Sequence, residues 1–181
     1  MSLVYCLDTN AVLDMCYRYY PRECFDSLWR QLESAVIAGQ VSFIQSEDIS
    51  KEIDRKIVQF EYSETNYTEL ISYLNIEVIK YNDYAEALNN LKGNLIAEVP
   101  FIGLKQSPTG FLEGLTEDLS NISLACIKNA KVITSEQGFN LDITSSTLSK
   151  KTPLKIPDVC TYQKVPCGNW LEVFNYLGVR F

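Results

Sequence analysis

The sequence contains no histidine. That absence excludes Ser–His–Asp triads, histidine general bases and the common His-containing zinc sites. Acid–base or metal chemistry must rest on carboxylates, Cys, Lys or Tyr. Basic residues are also scarce: Lys and Arg number 16 against 23 Asp and Glu, for a net charge of −7. This balance argues against a broad basic face wrapped around duplex DNA, although a divalent cation can still bridge an acidic chain to phosphate locally. Long apolar runs are missing, so no membrane span is expected. The N-terminal stretch Met1 to Asp8 has no basic region ahead of an apolar run and does not read as a signal peptide. A cytoplasmic protein is expected. None of the six cysteines forms a Cys-x-x-Cys pair, which gives little support for a disulfide framework. Cys6 and Cys126 read as small core residues. Cys160 and Cys167 lie close enough in sequence to pair or bind metal, although zinc would need two further ligands.

What is present suits a globular protein. Hydrophobic residues make up 46% and charged residues 22% of the 181-residue chain, which excludes fibrous and disordered classes. One domain over residues 1–181 is expected. Leu3 to Leu7 is apolar and fits a short buried strand with Asp8 at its carboxyl end. Helices are predicted from Asn10 to about Tyr19, from Cys24 to Ala38 and from Ser46 to about Phe60, with a strand over Val41–Ile44. Further helices are predicted over Thr65–Leu74, Asp83–Leu91, about Thr116 to Lys128, and Asn169–Tyr176. Strands are predicted over Ile76–Ile79, Lys131–Thr134 and near Leu154–Ile156, with loops over 93–114 and 140–153. Alternating strands and helices point to a three-layer α/β/α fold with a central, mainly parallel sheet, Rossmann-like in its layering.

Open parallel sheets build their sites at the carboxyl ends of strands. Asp8 follows the first strand and Glu136 follows Lys131–Thr134. Asp118 lies in the first turn of the preceding helix, and Glu52 lies on the helix after the second strand. Singly, each acid has a plainer reading as a cap, a dipole partner or a solvated helix residue. As a set converging in one cleft they would repel one another. Oxygen-only clusters of this kind persist when a hard cation such as Mg2+ or Mn2+ neutralises them. Lys150, Lys151 and Lys155 form the densest basic patch, readable as a phosphate contact or as a solvated loop. Tyr17, Tyr19 and Tyr20 could stack on bases, with core or interface packing the plainer reading for at least one.

Several of these segments, taken in order, resemble PIN-domain ribonucleases. Leu7-Asp8-Thr9-Asn10 resembles their opening motif, and Ser46 to Ile53 with Glu52 resembles the helix that supplies the second acid. Asp118 with Ile122, Ser123 and Ala125 resembles the third-acid helix, and Thr134-Ser135-Glu136-Gln137-Gly138-Phe139 resembles the Thr-x-Asp-x-x-Phe element. Tyr19-Tyr20-Pro21 with Trp29, and Lys155-Ile156-Pro157-Asp158-Val159-Cys160, resemble an uncharacterised prokaryotic PIN-like subfamily. The resemblance runs from about Val4 to Phe181. Two positions depart from the pattern: Glu136 stands where most PIN domains have Asp, and Ser123 where Ala is usual.

The resemblance implies a PIN-like, metal-dependent endoribonuclease, similar to the toxins of toxin–antitoxin pairs. It implies Mg2+ or Mn2+ held chiefly by Asp8 and Asp118, with Glu52 direct or through water and Glu136 completing the cluster. Thr134 would orient a water or a carboxylate, and Asn10 would touch substrate or hold Asp8. RNA is the implied substrate, with self-association and a protein antitoxin as implied partners and the region from Tyr17 to Trp29 as their contact surface. Two alternatives stay open. One is a non-catalytic PIN-like module that binds RNA or protein. The other is a phosphatase of the haloacid dehalogenase type, which would need Asp-x-Asp where this chain has Asp8-Thr9-Asn10.

Overall fold

The computed structural model of the protein describes residues 2–101, 107–145 and 154–180. Its centre is a sheet of five parallel strands among the described residues, in the order β3-β2-β1-β4-β5. These are β1 (Leu3–Leu7), β2 (Val41–Ser46), β3 (Glu77–Ile79), β4 (Lys131–Ile133) and β5 (Cys167–Gly168). The register pairs Tyr5 with Phe43 on one side and with Lys131 on the other. The strand order runs outward from β1 in both directions, so the topological switch point lies between β1 and β4. The crevice at their carboxyl ends is where open parallel sheets place ligands.

Alternating side chains of β1 feed two cores. Tyr5 and Leu7 join one core with α1 (Thr9–Leu13), α2 (Arg22–Ile37), α3 (Glu47–Phe60), α4 (Glu64–Leu74) and α9 (Trp170–Leu177). Cys6 points to the opposite face, among residues of α5 (Ala85–Glu98), α6 (Pro108–Glu113), α7 (Thr116–Lys128) and α8 (Ile156–Gln163). A strand covered on both faces has no polar alternation, which is why Val4 to Leu7 reads as a continuous apolar run. The three-layer α/β/α expectation holds.

Local chemistry explains the element ends nearest the site. Ser46 ends β2 and caps α3, its hydroxyl accepting from the Ile49 N–H at 3.2 Å. Ile49, Ile53 and Ile57 then bury one stripe of α3. Helix α7 is buried continuously from Leu119 to Ala125. Small Ser120, Ser123 and Ala125 allow neighbouring elements to approach it closely. Asn129, at φ 49°, ends α7 in the left-handed conformation, and the Ala130 N–H returns to Ala125 O at 2.8 Å.

The structure departs from several sequence expectations. The first helix is α-helical only to Leu13; Asp14–Arg18 forms a π turn. The helix expected over Asp83–Leu91 extends to Glu98, through Gly93, and α6 occupies part of the presumed loop. Three buried leucines, Leu88, Leu91 and Leu95, hold α5 together past that glycine, so packing outweighs the low helix propensity of one residue. Leu154–Ile156 is not a strand: Pro157 lies in the first turn of α8, and the last strand is Cys167–Gly168. Cys6 is buried as expected, whereas Cys126 is exposed on the outer side of α7. Of the loop expected over 140–153, residues 146–153 lie outside the described residues, among them Lys150 and Lys151.

These cores predict a sharp contrast between two isoleucines. Ile53 is fully buried, so Ile53→Ala should destabilise by about 3 kcal/mol. Ile127 is 47% exposed, so Ile127→Ala should change stability by less than about 0.5 kcal/mol. Urea unfolding of both variants checks this; equal losses would contradict the assigned packing.

Candidate active site at the switch point

Asp8 stands at the switch point. Its N–H donates to Ile133 O at 3.0 Å, which ties the end of β1 to β4. Its carboxylate caps α1, accepting from the Asn10 N–H at 3.3 Å, and accepts from the Thr134 hydroxyl at 2.8 Å through the same oxygen. The side chain is almost fully buried, at 1% exposure. Burial, opposed by those hydrogen bonds and reinforced by the charge of Glu52, raises its pKa to about 7.

Three more acids approach from separate elements. Asp118 lies in the first turn of α7, and burial followed by the charges of Asp8, Glu136, Glu52 and Glu117 raises its pKa to about 8. Glu52, on α3, accepts from the Thr9 hydroxyl at 2.5 Å. Helices α3 and α7 are fixed to one another by the buried Ser46–Ser120 hydroxyl pair at 2.8 Å and by the exposed Arg55–Glu117 ion pair at 2.6 Å. Glu136 follows β4, and its own N–H donates to Thr134 Oγ1 at 3.0 Å. Its carboxylate is already engaged: Lys155 forms an ion pair with one oxygen, and the Ile156 N–H donates to the other at 2.8 Å. Glu136 thus caps the N-terminus of α8.

The donor set is oxygen-rich and acidic; burial, then the charges of neighbouring acids, raises the pKa of Asp8 and of Asp118, which is the chemistry a hard divalent cation relieves. Asp8, which is buried, and Asp118, which is half-buried, are the best suited to hold one, since the pKa of each is strongly raised. Glu52 and Glu136 have other partners. Among the described residues, no group of three or more Cys, Asp or Glu side chains stands close enough together to hold a metal ion. The fit therefore rests on donor type and on the raised pKa values of Asp8 and Asp118.

Other residues at the site escape sequence reasoning. Arg18 donates to Asn10 Oδ1 at 3.1 Å and lies 3.6 Å from Asp14 Oδ1. Asp14 is buried and accepts from the Ser135 hydroxyl. Both Asp14 and Arg18 belong to the π turn Asp14–Arg18, and π turns gather at functional sites. Asp158 accepts from the N–H groups of Phe139 and Leu141 at 3.1 and 3.4 Å, holding the loop after Glu136. A Cβ on Gly138 would meet Asp158 Oδ1 at 2.8 Å, so only glycine fits that approach. The Lys155-to-Cys160 motif is thereby explained as a clasp on the segment 136–141, and Lys155 faces Glu136.

The tyrosines divide. Tyr17 stacks on Tyr62 with centroids 4.2 Å apart, and Tyr20 packs on Phe25 and Phe174. Tyr19 is 64% exposed, its ring edge-on to Tyr20 with centroids 6.4 Å apart. Trp29 is buried, its indole N–H donating to Tyr20 O at 2.8 Å, so it cannot belong to an external contact surface.

The profile of a family described as a domain of unknown function, DUF4411, matches residues 5–181. The chain belongs to the DUF4411 family. Its match takes in every residue of the acidic site, from Asp8 to Glu136, together with the clasp at Lys155–Cys160. No curated protein matches the chain. No helix among the described residues is long and apolar enough to cross a membrane.

The burial of Asp118, reinforced by the neighbouring acids, predicts a pH-dependent stability in the presence of chelator. Asp118 holds its proton more tightly folded than unfolded, so stability should fall as pH rises between its ordinary value of 3.8 and about 8. Asp118→Asn should flatten that decline by on the order of 2 kcal/mol. Denaturant titrations at several pH values check this, and parallel pH profiles for the two proteins would remove Asp118 from the repelling set.

Proposed function

We propose that this DUF4411 protein is a metal-dependent endoribonuclease of PIN-like type, hydrolysing RNA phosphodiester bonds in the cytoplasm as the toxin of a toxin–antitoxin pair. The observation that carries the reading is the buried Asp8 carboxylate at the switch point with Asp118 beside it, each raised in pKa, in a chain with no histidine. The ordered PIN-like motifs around these residues supply the substrate class.

Asp8 and Asp118 would hold Mg2+ or Mn2+, with Glu52 in support. When bound, such a cation supplies Lewis-acid polarisation of a phosphate oxygen and acidifies water. The chain's own residues do the positioning. Thr134 fixes the Asp8 carboxylate through its hydroxyl, and the Asn10 N–H holds the same oxygen. Thr9 orients Glu52. Glu136 links the site to the start of α8 through Lys155 and the Ile156 N–H. Arg18, on Asn10, offers a guanidinium to the phosphate backbone of a bound strand. A phosphatase general acid would stand at position 10, where Asn10 instead accepts from Arg18.

Purified protein with Mg2+ or Mn2+ should cleave RNA, and excess chelator should abolish cleavage. Asp8→Asn should lose at least about 100-fold in rate. Thr134→Val should lose about tenfold, the worth of one hydrogen bond to a charged group. A mixed-sequence RNA resolved on a denaturing gel is the assay, with p-nitrophenyl phosphate as control. Cleavage unaffected by Asp8→Asn, or turnover of p-nitrophenyl phosphate alone, would overturn the reading. Self-association should appear in sedimentation velocity as a species heavier than the 20.6 kDa chain, and a monomer at every concentration would remove the oligomer.

A further inference from the structure

A groove of about 410 Å³ opens beside the acidic site, at the carboxyl ends of β4 and β5. Small-ligand sites span about 300–1,000 Å³. Thr134 belongs to groove and site alike: it lines the first, and its hydroxyl donates to Asp8 at 2.8 Å. The lining carries three carboxamides, Gln137, Asn140 and Asn169, and among the described residues Glu136 is its only charged side chain. The Glu136 carboxylate is already engaged by Lys155 and the Ile156 N–H. Gln137 and Asn140 are exposed, and neither side chain makes a hydrogen bond among the described residues. Asn169 caps α9 through Oδ1, which accepts from the Glu172 N–H at 3.2 Å and leaves its amino group as a donor. The walls are set before any ligand arrives. Asp158 accepts from the Phe139 and Leu141 N–H groups that flank Asn140. Gly138 lies so close to α8 that a Cβ there would meet Pro157 Cβ at 2.9 Å. The Thr134 N–H donates to Gly168 O at 3.0 Å, tying the two strands of the floor. Walls held in place lower the ordering cost of binding.

We infer that this groove takes an unpaired adenine of the RNA strand on which the acidic site acts. The inference rests on the nuclease reading and specifies its substrate. Single-stranded RNA is read on the edges of unstacked bases, and each base calls for its own reader. Guanine is read by Arg or Lys on O6 and N7, and cytosine by a free Asp or Glu on its amino group. Adenine is read by the paired donor and acceptor of Asn or Gln. Among the described residues no cation lines the groove, and its one carboxylate is engaged, so the readers of guanine and cytosine are missing. The carboxamides remain. The amide oxygen of Gln137 or Asn140 would accept from the adenine N6 amino group while its nitrogen donates to N7. Asn169 adds a donor for a further ring nitrogen. Uracil has no exocyclic amino group for an amide oxygen to accept from.

The test uses the full chain and short oligouridine strands carrying one central adenosine, one guanosine, one cytidine or no other base. With Mg2+ or Mn2+, cuts should fall at one fixed distance from the adenosine, about tenfold faster than in the all-uridine strand, the discrimination of one bidentate amide–base pair. The double substitution Gln137→Ala, Asn140→Asp should bring that ratio close to one; Asp is used because position 140 has φ 53°, which Asp tolerates. Fluorescence anisotropy of the same strands in excess chelator reads binding without cleavage, and the adenosine strand should bind about tenfold tighter than the all-uridine strand. Cuts that ignore the adenosine would overturn the adenine groove and leave the nuclease standing. Adenosine-selective binding with no cleavage in metal would support the groove and overturn the nuclease. Equal binding of all strands with no cleavage would overturn both, and a preference for guanosine or cytidine would overturn the adenine assignment. The wild-type comparison needs no variant, so misfolding of the double substitution leaves the inference open to refutation.

Discussion

Burying Asp8 at the end of a central strand is the constraint on which the rest of the site depends. A carboxylate removed from water needs hydrogen-bond donors, and here they come from two directions at once. The Asn10 N–H requires α1 to begin immediately after β1, and the Thr134 hydroxyl requires β4 to lie directly alongside. From Thr134 the chain of dependence runs on, since its Oγ1 accepts from the Glu136 N–H and the Glu136 carboxylate caps α8. One buried charge is thus connected, bond by bond, to a helix on the far side of the groove.

Helix α7 shows the opposite side of that economy. Its buried stretch includes Ser120, Asn121 and Ser123, where hydrophobic residues would pack with less risk. Ser120 is used, pairing with Ser46 at the end of β2. Asn121 Oδ1 takes the Cys6 thiol, while Asn121 Nδ2 and Ser123 Oγ have no hydrogen-bond partner among the described residues. Orphaned buried groups cost stability. They lie on the same helix as Asp118, in keeping with the general pattern that local rules are broken near functional sites.

Much of this was legible in the sequence where local signals were strong. Helix α7 spans Thr116–Lys128, as its pattern indicates, because an acidic first turn and the left-handed Asn129 mark both ends. Strand β1 with Asp8 was legible because an apolar run followed by a polar residue leaves few options. The π turn was not, since nothing in Asp14 to Arg18 distinguishes an α from a π turn, and the Ser135 hydroxyl that bonds Asp14 lies 121 residues away in the chain. Glu136 carries no local sign of its link to Lys155, because that contact depends on where α8 begins. Strand β5 is two residues long, below the length at which alternation can be read, and is tied to β4 by the Val132 N–H donating to Pro166 O just before it and the Thr134 N–H donating to Gly168 O.

The shortness of β3 and β5 has a consequence for how copies of this chain can meet. They are the two edges of the sheet, three and two residues long. An edge that short presents few unpaired main-chain groups, so it makes a poor template for strand addition by another molecule. The long, fully paired strands β1 and β2 are kept inside, which protects a parallel sheet from running on into a fibre. Edge-to-edge strand pairing is thus the mode of contact this sheet disfavours most, and helix surfaces, where contact depends on side chains, are left as the broader faces of the molecule.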